Sequence, residues 1–216
     1  MPAPKLKDAF SLFWTACRIW WADWSNLVLI CLLGVLMSLT VILAPIAYFG
    51  ILQVVTDLSH SLRTGLGGFF QALRSHWKAA LGWGFVSLAA LGPLAYSFVY
   101  FSTHPNSSSL SMLLLTGFFF WIFFTLSSLS ASCYFLQEPQ NLSLAIKNAW
   151  ALIRLHPAFI LTGSLISLVI TLLSVRYYLP ILLGVQALLA LFSIISVQRT
   201  LGKTPEVPSN VNIYMR

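Results

Sequence analysis

Long apolar runs without a charged residue are the feature that most constrains the fold of this chain. Two of them, at 79–101 and 110–136, are long enough to cross a bilayer, because a helix needs about 20 residues to traverse the hydrocarbon core. Only 8% of all residues are charged and the mean hydropathy is +0.86, whereas about 25% of residues are charged in soluble domains. The sequence therefore predicts an integral membrane protein.

Further apolar segments flank these two runs, and Pro45 separates the first from the second. We predict an all-α, polytopic membrane domain at 26–200, preceded by a surface segment at 1–25 and followed by a disordered tail at 201–216. The six predicted transmembrane helices cover 26–43, 46–62, 79–101, 110–136, 158–175 and 179–197.

Three amphipathic segments are predicted to lie at the membrane interface. The first, at 1–25, contains four of the eight tryptophans, a residue type that prefers the head-group layer. The segments 66–78 and 143–156 each carry bulky apolar residues on one helix face and basic residues on the other. Their basic residues, which suit anionic lipid or an acidic partner, are Arg74, Lys78, Lys147 and Arg154.

The two later amphipathic segments match one another at an offset of eighty residues. Arg74 aligns with Arg154 and His76 aligns with His156, and an apolar run follows each pair. An internal duplication would explain this layout, but an apolar chain rich in Leu and Ser also produces such identities by chance. The sequence leaves both explanations open.

The distribution of basic residues predicts the orientation of the chain. If the N-terminus is inside, Arg176 is the only one of the twelve Lys and Arg residues that lies outside the membrane. Lys and Arg concentrate in cytoplasmic loops. We therefore expect a multi-pass protein of the plasma membrane with both termini in the cytoplasm. The basic residues of the surface helices also have a second interpretation, in which they only orient the chain during insertion.

Gln53 and Asp57 are the polar residues of the predicted second span that suit a transport site, because a carboxylate inside a membrane usually marks a pathway or a paired site. In the other interpretation the helix leaves the hydrocarbon near Thr56, and Asp57 is solvated or paired with Arg63. The sequence favours this second interpretation.

The remaining chemistry-bearing residues form no catalytic or metal-binding pattern. The four histidines are scattered along the chain, and Cys17, Cys31 and Cys133 lack the spacing of metal ligands. The basic residues are dispersed between apolar runs and form no patch for nucleic acid. We expect no catalytic residue, no metal, no cofactor and no nucleic-acid partner.

Several short motifs accompany this layout. They are Pro45 with Ala47 and Tyr48, Arg63-x-Gly65 followed by Phe69-Phe70, and Leu144-Ala145-x-x-Asn148-Ala149 followed by Pro157. With the tryptophan-rich first segment, they resemble the YesL-like family of bacterial integral membrane proteins, whose function is unknown. Members are often associated with carbohydrate uptake systems, which is the context that the resemblance implies.

The resulting expectation is a non-enzymatic membrane protein that acts on or beside a carbohydrate transport system. Its expected partners are the lipid bilayer and a transporter or signalling membrane protein. The alternative is a small-solute transporter in its own right, with Gln53 and Asp57 at its polar site and repeats of the kind common in transporters.

Overall fold

The computed structural model describes residues 6–40, 42–60, 62, 65–104, 109–177 and 184–202, and all structural statements concern these residues. They form eight α-helices and no strand, which confirms the predicted all-α class. The helices are α1 (Leu6–Ala22), α2 (Trp24–Ser38), α3 (Ala44–Ser59), α4 (Gly65–Thr103), α5 (Ser109–Leu136), α6 (Leu142–Leu155), α7 (Pro157–Tyr177) and α8 (Val185–Thr200). The predicted tail lies outside the described residues.

Local sequence signals account for several helix ends. Proline occupies the first turn of α3 and the first position of α7, where a missing N–H costs no helical hydrogen bond. At the start of α6, the Asn141 side chain accepts a hydrogen bond from the backbone N–H of Ser143 at 2.9 Å. Gly184 precedes α8 with φ of +87°, a conformation that favours glycine.

Three helices are long and apolar enough to cross a membrane, namely α4, α5 and α7. A fourth crossing is possible if α1 and α2, which meet at a bend of 92°, act as one broken span. Helices α3 and α8 have 16 residues each, or about 24 Å at 1.5 Å per residue, less than a hydrocarbon core of about 30 Å. The predicted number of six spans is therefore not confirmed.

The amphipathic segment 66–78 and the apolar run 79–101 form one uninterrupted helix, α4. Its 39 residues give a length of about 58 Å, close to twice the thickness of the hydrocarbon core. If the apolar part crosses the bilayer, the amphipathic part projects beyond the hydrocarbon on the side where α4 begins.

Helix α1 packs one face against α8 and does not rest on the surface alone. Its buried face consists of Ala9, Leu12, Ala16 and Ile19. The Phe13 ring meets Phe192 edge-on at 5.5 Å, and the Trp20 indole N–H donates to the Gly184 carbonyl at 3.1 Å. These two contacts run in opposite chain directions, so α1 and α8 are antiparallel. The preference of tryptophan for the head-group layer applies to the outer face of α1, where Trp14 and Trp21 are exposed.

The buried core centres on α8, in which every residue from Ala190 to Gln198 is buried. Helices α1, α2, α3, α5 and α7 all contact it. By contrast, α4 after Gly84, the first half of α5 and much of α7 expose large apolar side chains. Exposed apolar area of this extent marks a surface for a membrane or a protein partner, and among the described residues the same three helices are long and apolar enough to cross a bilayer.

Helices α3 and α4 approach closely at two glycines. A Cβ built on Gly50 would lie 2.6 Å from the Phe69 ring, and a Cβ on Gly84 would overlap the Pro45 ring. Small residues at such positions let helix backbones come together inside a membrane.

We predict that Gly84→Ala lowers the thermal stability of the detergent-solubilised protein. The new methyl group meets a rigid proline ring at the start of α3, and overpacking of this kind costs about 1–3 kcal/mol. Gly67→Ala is the matched control on the same helix, because a Cβ there meets nothing within 4 Å. Equal melting temperatures for the two variants would contradict the packing described here.

Candidate functional site

The first candidate surface is the basic face of α4 before its apolar part. Arg74 and Lys78 are exposed there, while Phe69 and Ala72 bury the opposite face. The Lys78 ammonium lies 5.5 Å from the centroid of the Trp77 ring, which is 45% exposed. An exposed cation beside an exposed indole suits the head-group layer of a membrane.

Helix α6 repeats this arrangement. Lys147 and Arg154 are exposed, and Ala149 and Leu152 are buried on the other face. The Arg154 guanidinium lies 5.1 Å from the centroid of the Trp150 ring, which is 42% exposed. The four cations are therefore exposed, as their spacing predicts, but Trp77 and Trp150, which were predicted with the bulky apolar faces, are exposed beside them.

The two basic helices also lie close to one another. A Cβ built on Gly82 of α4 would lie 3.6 Å from the Leu142 side chain, which begins α6. Gly82 follows Lys78 by about one helical turn, and Lys147 lies about one turn and a half after Leu142. No sequence pattern indicates this proximity, because it depends on how α5 returns the chain.

Gln53 and Asp57 form a local pair on α3. The Gln53 amide donates to the Asp57 carboxylate at 2.8 Å, and both side chains are half-buried. Residues four apart lie on the same helix face, so this contact follows directly from their spacing. Arg63, the other partner considered for Asp57, lies outside the described residues.

A partly open cavity of about 780 Å³ lies between α2, α3, α4, α5, α7 and α8. Most of its lining is apolar, and neither Gln53 nor Asp57 contributes to it. Among the described residues, none that lines it is charged. The polar lining includes Ser87 of α4, Ser127 and Ser128 of α5, Ser167 and Thr171 of α7, and Gln186 of α8.

Most of these hydroxyl groups are already hydrogen-bonded within the protein. The Ser87 and Ser127 hydroxyl oxygens lie 2.6 Å apart across the α4–α5 contact. Thr171 donates to the Ser167 carbonyl at 2.8 Å, and Ser167 donates to the Gly163 carbonyl at 3.2 Å. Ser127, Ser128, Ser167 and Thr171 are half-buried around the cavity.

Gln186 is the polar lining residue that sequence reasoning missed. Within the described residues, no hydrogen-bond partner is found for its side-chain amide. The signal in the sequence is a single amide inside the apolar run 179–197, comparable with Gln53 in its own run. Its relevance depends on the cavity, which no sequence pattern indicates.

A second, smaller cavity of about 30 Å³ lies beside the first, between α5, α7 and α8. The buried Ser196 hydroxyl lines it and has no hydrogen-bond partner within the described residues. Thr125 and Ser193 also line it. A volume of this size with several polar groups suits one ordered water molecule.

No group of three or more His, Cys, Asp or Glu side chains is placed to hold a metal ion within the described ranges. Cys17, Cys31 and Cys133 are free thiols, and the last two are buried. The His76 ring lies 3.3 Å from the Tyr134 hydroxyl, so this histidine contacts a neighbouring helix.

Comparisons of this chain with protein-family models, with curated proteins and with solved structures find no significant match. The family resemblance drawn from short motifs therefore stays a prediction, and the function has to be argued from the residues and their geometry.

Proposed function

We propose that this protein is a non-enzymatic integral protein of the plasma membrane that acts as an accessory component on or beside a transport system, with carbohydrate as the expected cargo of that system. The observation that carries the proposal is that α4 and α6, which approach each other at Gly82 and Leu142, each present two exposed cations and an exposed tryptophan. A surface of this kind suits an acidic cytoplasmic segment of a partner or anionic lipid head groups.

The energetic scale supports a binding role for these faces. A basic residue near an anionic surface contributes on the order of 1 kcal/mol, so four of them together give a substantial attraction. Because α4 continues without a break into an apolar helix, a partner bound at Arg74 and Lys78 is coupled rigidly to the membrane part. The alternative, in which the charges only orient the chain, requires no partner.

The proposal includes six membrane crossings with both termini in the cytoplasm. The distribution of basic residues supports it, although α3 and α8 are short for independent spans. Burial of α8 by neighbouring helices supports it as well, because a helix enclosed by protein does not have to match the thickness of the lipid. In this arrangement the starts of α4 and α6 face the cytoplasm.

The basic faces are tested by replacing Arg74, Lys78, Lys147 and Arg154 with glutamine. We expect the recovery of co-purifying membrane proteins, measured by quantitative mass spectrometry, to fall at least about tenfold, because the electrostatic attraction is lost. The control replaces Arg18 and Arg199, which lie on α1 and α8, and should leave recovery unchanged. If the fourfold variant keeps its abundance, topology and partners, the binding role is wrong.

The topology is tested by labelling single cysteines in a chain whose three native cysteines are replaced by alanine. A cysteine at Ser107 should react with an impermeant maleimide in intact cells, because the 102–109 segment is expected outside. A cysteine at Ser75, which is exposed on α4, should react only after permeabilisation. The reverse pattern, or labelling of both sites from outside, would exclude the proposed topology.

A small-solute transporter is the second candidate function, and the cavity of about 780 Å³ is the observation that favours it. Transporters place a polar substrate site near the membrane midplane. Against this candidate, the Gln53–Asp57 pair does not line the cavity, so the two polar features do not form one site.

Reconstitution into liposomes separates the two functions. For an accessory protein we expect no uptake of radiolabelled mono- or disaccharides above that of protein-free liposomes. Uptake by the native protein that is lost in Asp57→Asn would instead identify a transporter that uses the pair on α3. Uptake retained in Asp57→Asn but lost in Gln186→Leu would place the transport site in the cavity.

A further inference from the structure

We propose that the cavity of about 780 Å³ binds an uncharged amphipathic lipid that enters sideways from the bilayer. The inference concerns residues separate from the basic faces of α4 and α6, so it does not depend on the accessory function. It rests on the position of the cavity mouth, on the unpartnered amide of Gln186 and on the absence of charge in the lining.

The mouth of the cavity is apolar. Ile42, Phe85 and Leu88 line the cavity and are 72%, 76% and 63% exposed, respectively, so they form its margin. Phe85 and Leu88 belong to the part of α4 whose apolar side chains face outward. A molecule that enters past these residues comes from lipid, because a water-filled entrance would be lined by polar groups.

The half-exposed Gln186 side chain supplies a hydrogen-bonding group of the lining. The hydroxyls of Ser87, Ser167 and Thr171 have partners in the protein, but within the described residues none is found for the Gln186 amide. Hydrocarbon supplies no hydrogen bonds, so a polar group left unpaired there costs free energy. A hydroxyl or carbonyl group on the bound molecule would satisfy this amide.

The charge and size of the cavity define the class of ligand. Since no described residue that lines it is charged, an anionic phosphate head group would lose its hydration without gaining a cation there. A free sugar would leave most of its hydroxyl groups against apolar walls. The volume lies within the range of about 300–1,000 Å³ that is usual for ligand sites, so an acyl or isoprenoid chain with a neutral polar end fits best.

The test uses a diacylglycerol that carries a diazirine in one acyl chain, incorporated with the purified protein into phosphatidylcholine vesicles. After illumination, labelled peptides are mapped by mass spectrometry. We expect the label to concentrate in 81–91 of α4 and in 167–171 of α7, which line the cavity. Unlabelled dioleoylglycerol should compete at least about tenfold better than dioleoylphosphatidylglycerol, since only the latter carries a charge.

Two matched variants of α7 separate cavity binding from contact with bulk lipid. Thr171→Phe fills part of the cavity and should reduce labelling at least about fivefold by excluding the chain. Thr162→Phe is the control, because Thr162 is also half-exposed and also donates to the carbonyl four residues earlier, but does not line the cavity. It should leave the labelling unchanged.

Gln186→Leu removes the proposed hydrogen bond to the lipid while it keeps a side chain of similar volume. It also tests the proposal if the Thr171→Phe variant does not fold. Loss of one hydrogen bond should weaken competition by dioleoylglycerol about three- to tenfold, whereas Gln71→Leu on the exposed surface of α4 should not. Uniform labelling of the outward faces of α4, α5 and α7, equal competition by the charged lipid, or competition by a free disaccharide would each overturn the proposal.

Discussion

Enclosure of α8 by the other helices is the packing on which the rest of the structure depends. In a membrane, lipid chains are as apolar as leucine, so helices associate through close packing and hydrogen bonds and not through the hydrophobic effect. On α8 these contacts come from Ser193, which lies 2.7 Å from the Ser132 hydroxyl of α5, and from Gln198, which donates to Ser59 of α3 at 3.0 Å. They hold three helices that are far apart in the chain.

Other small residues, which lie at the contacts between α3, α4 and α5, border the cavity. Gly84, Ser87 and Ser127 allow α3, α4 and α5 to approach closely on one side, but their short side chains do not fill the space toward α7 and α8, and the cavity opens there. The molecule therefore presents two chemically different surfaces. One consists of exposed cations on α4 and α6, and the other is a largely apolar cavity, so each suits a different kind of partner.

Much of the helical layout was predictable from the sequence, because helical periodicity is a local property. The exposure of the basic residues in 66–78 and 143–156 follows from their spacing, and the bounds of α5 and α7 lie close to the predicted ones. Helix α4 instead begins at Gly65, because the amphipathic segment and the apolar run form one helix. The number of spans was less predictable. Short apolar segments such as α3 and α8 look alike whether they cross the lipid or lie buried in protein.

The sequence by itself determined that this chain is all-α, that its long helices are apolar enough to cross a membrane, and where its cations are exposed, since composition and spacing are sufficient for these features. Only the tertiary structure decided that α1 packs antiparallel to α8, that α4 and α6 approach each other at Gly82 and Leu142, and that Gln186 lines a cavity while Gln53 and Asp57 do not. The physical reason is that these features depend on contacts between residues far apart in the chain, which periodicity within one helix does not encode.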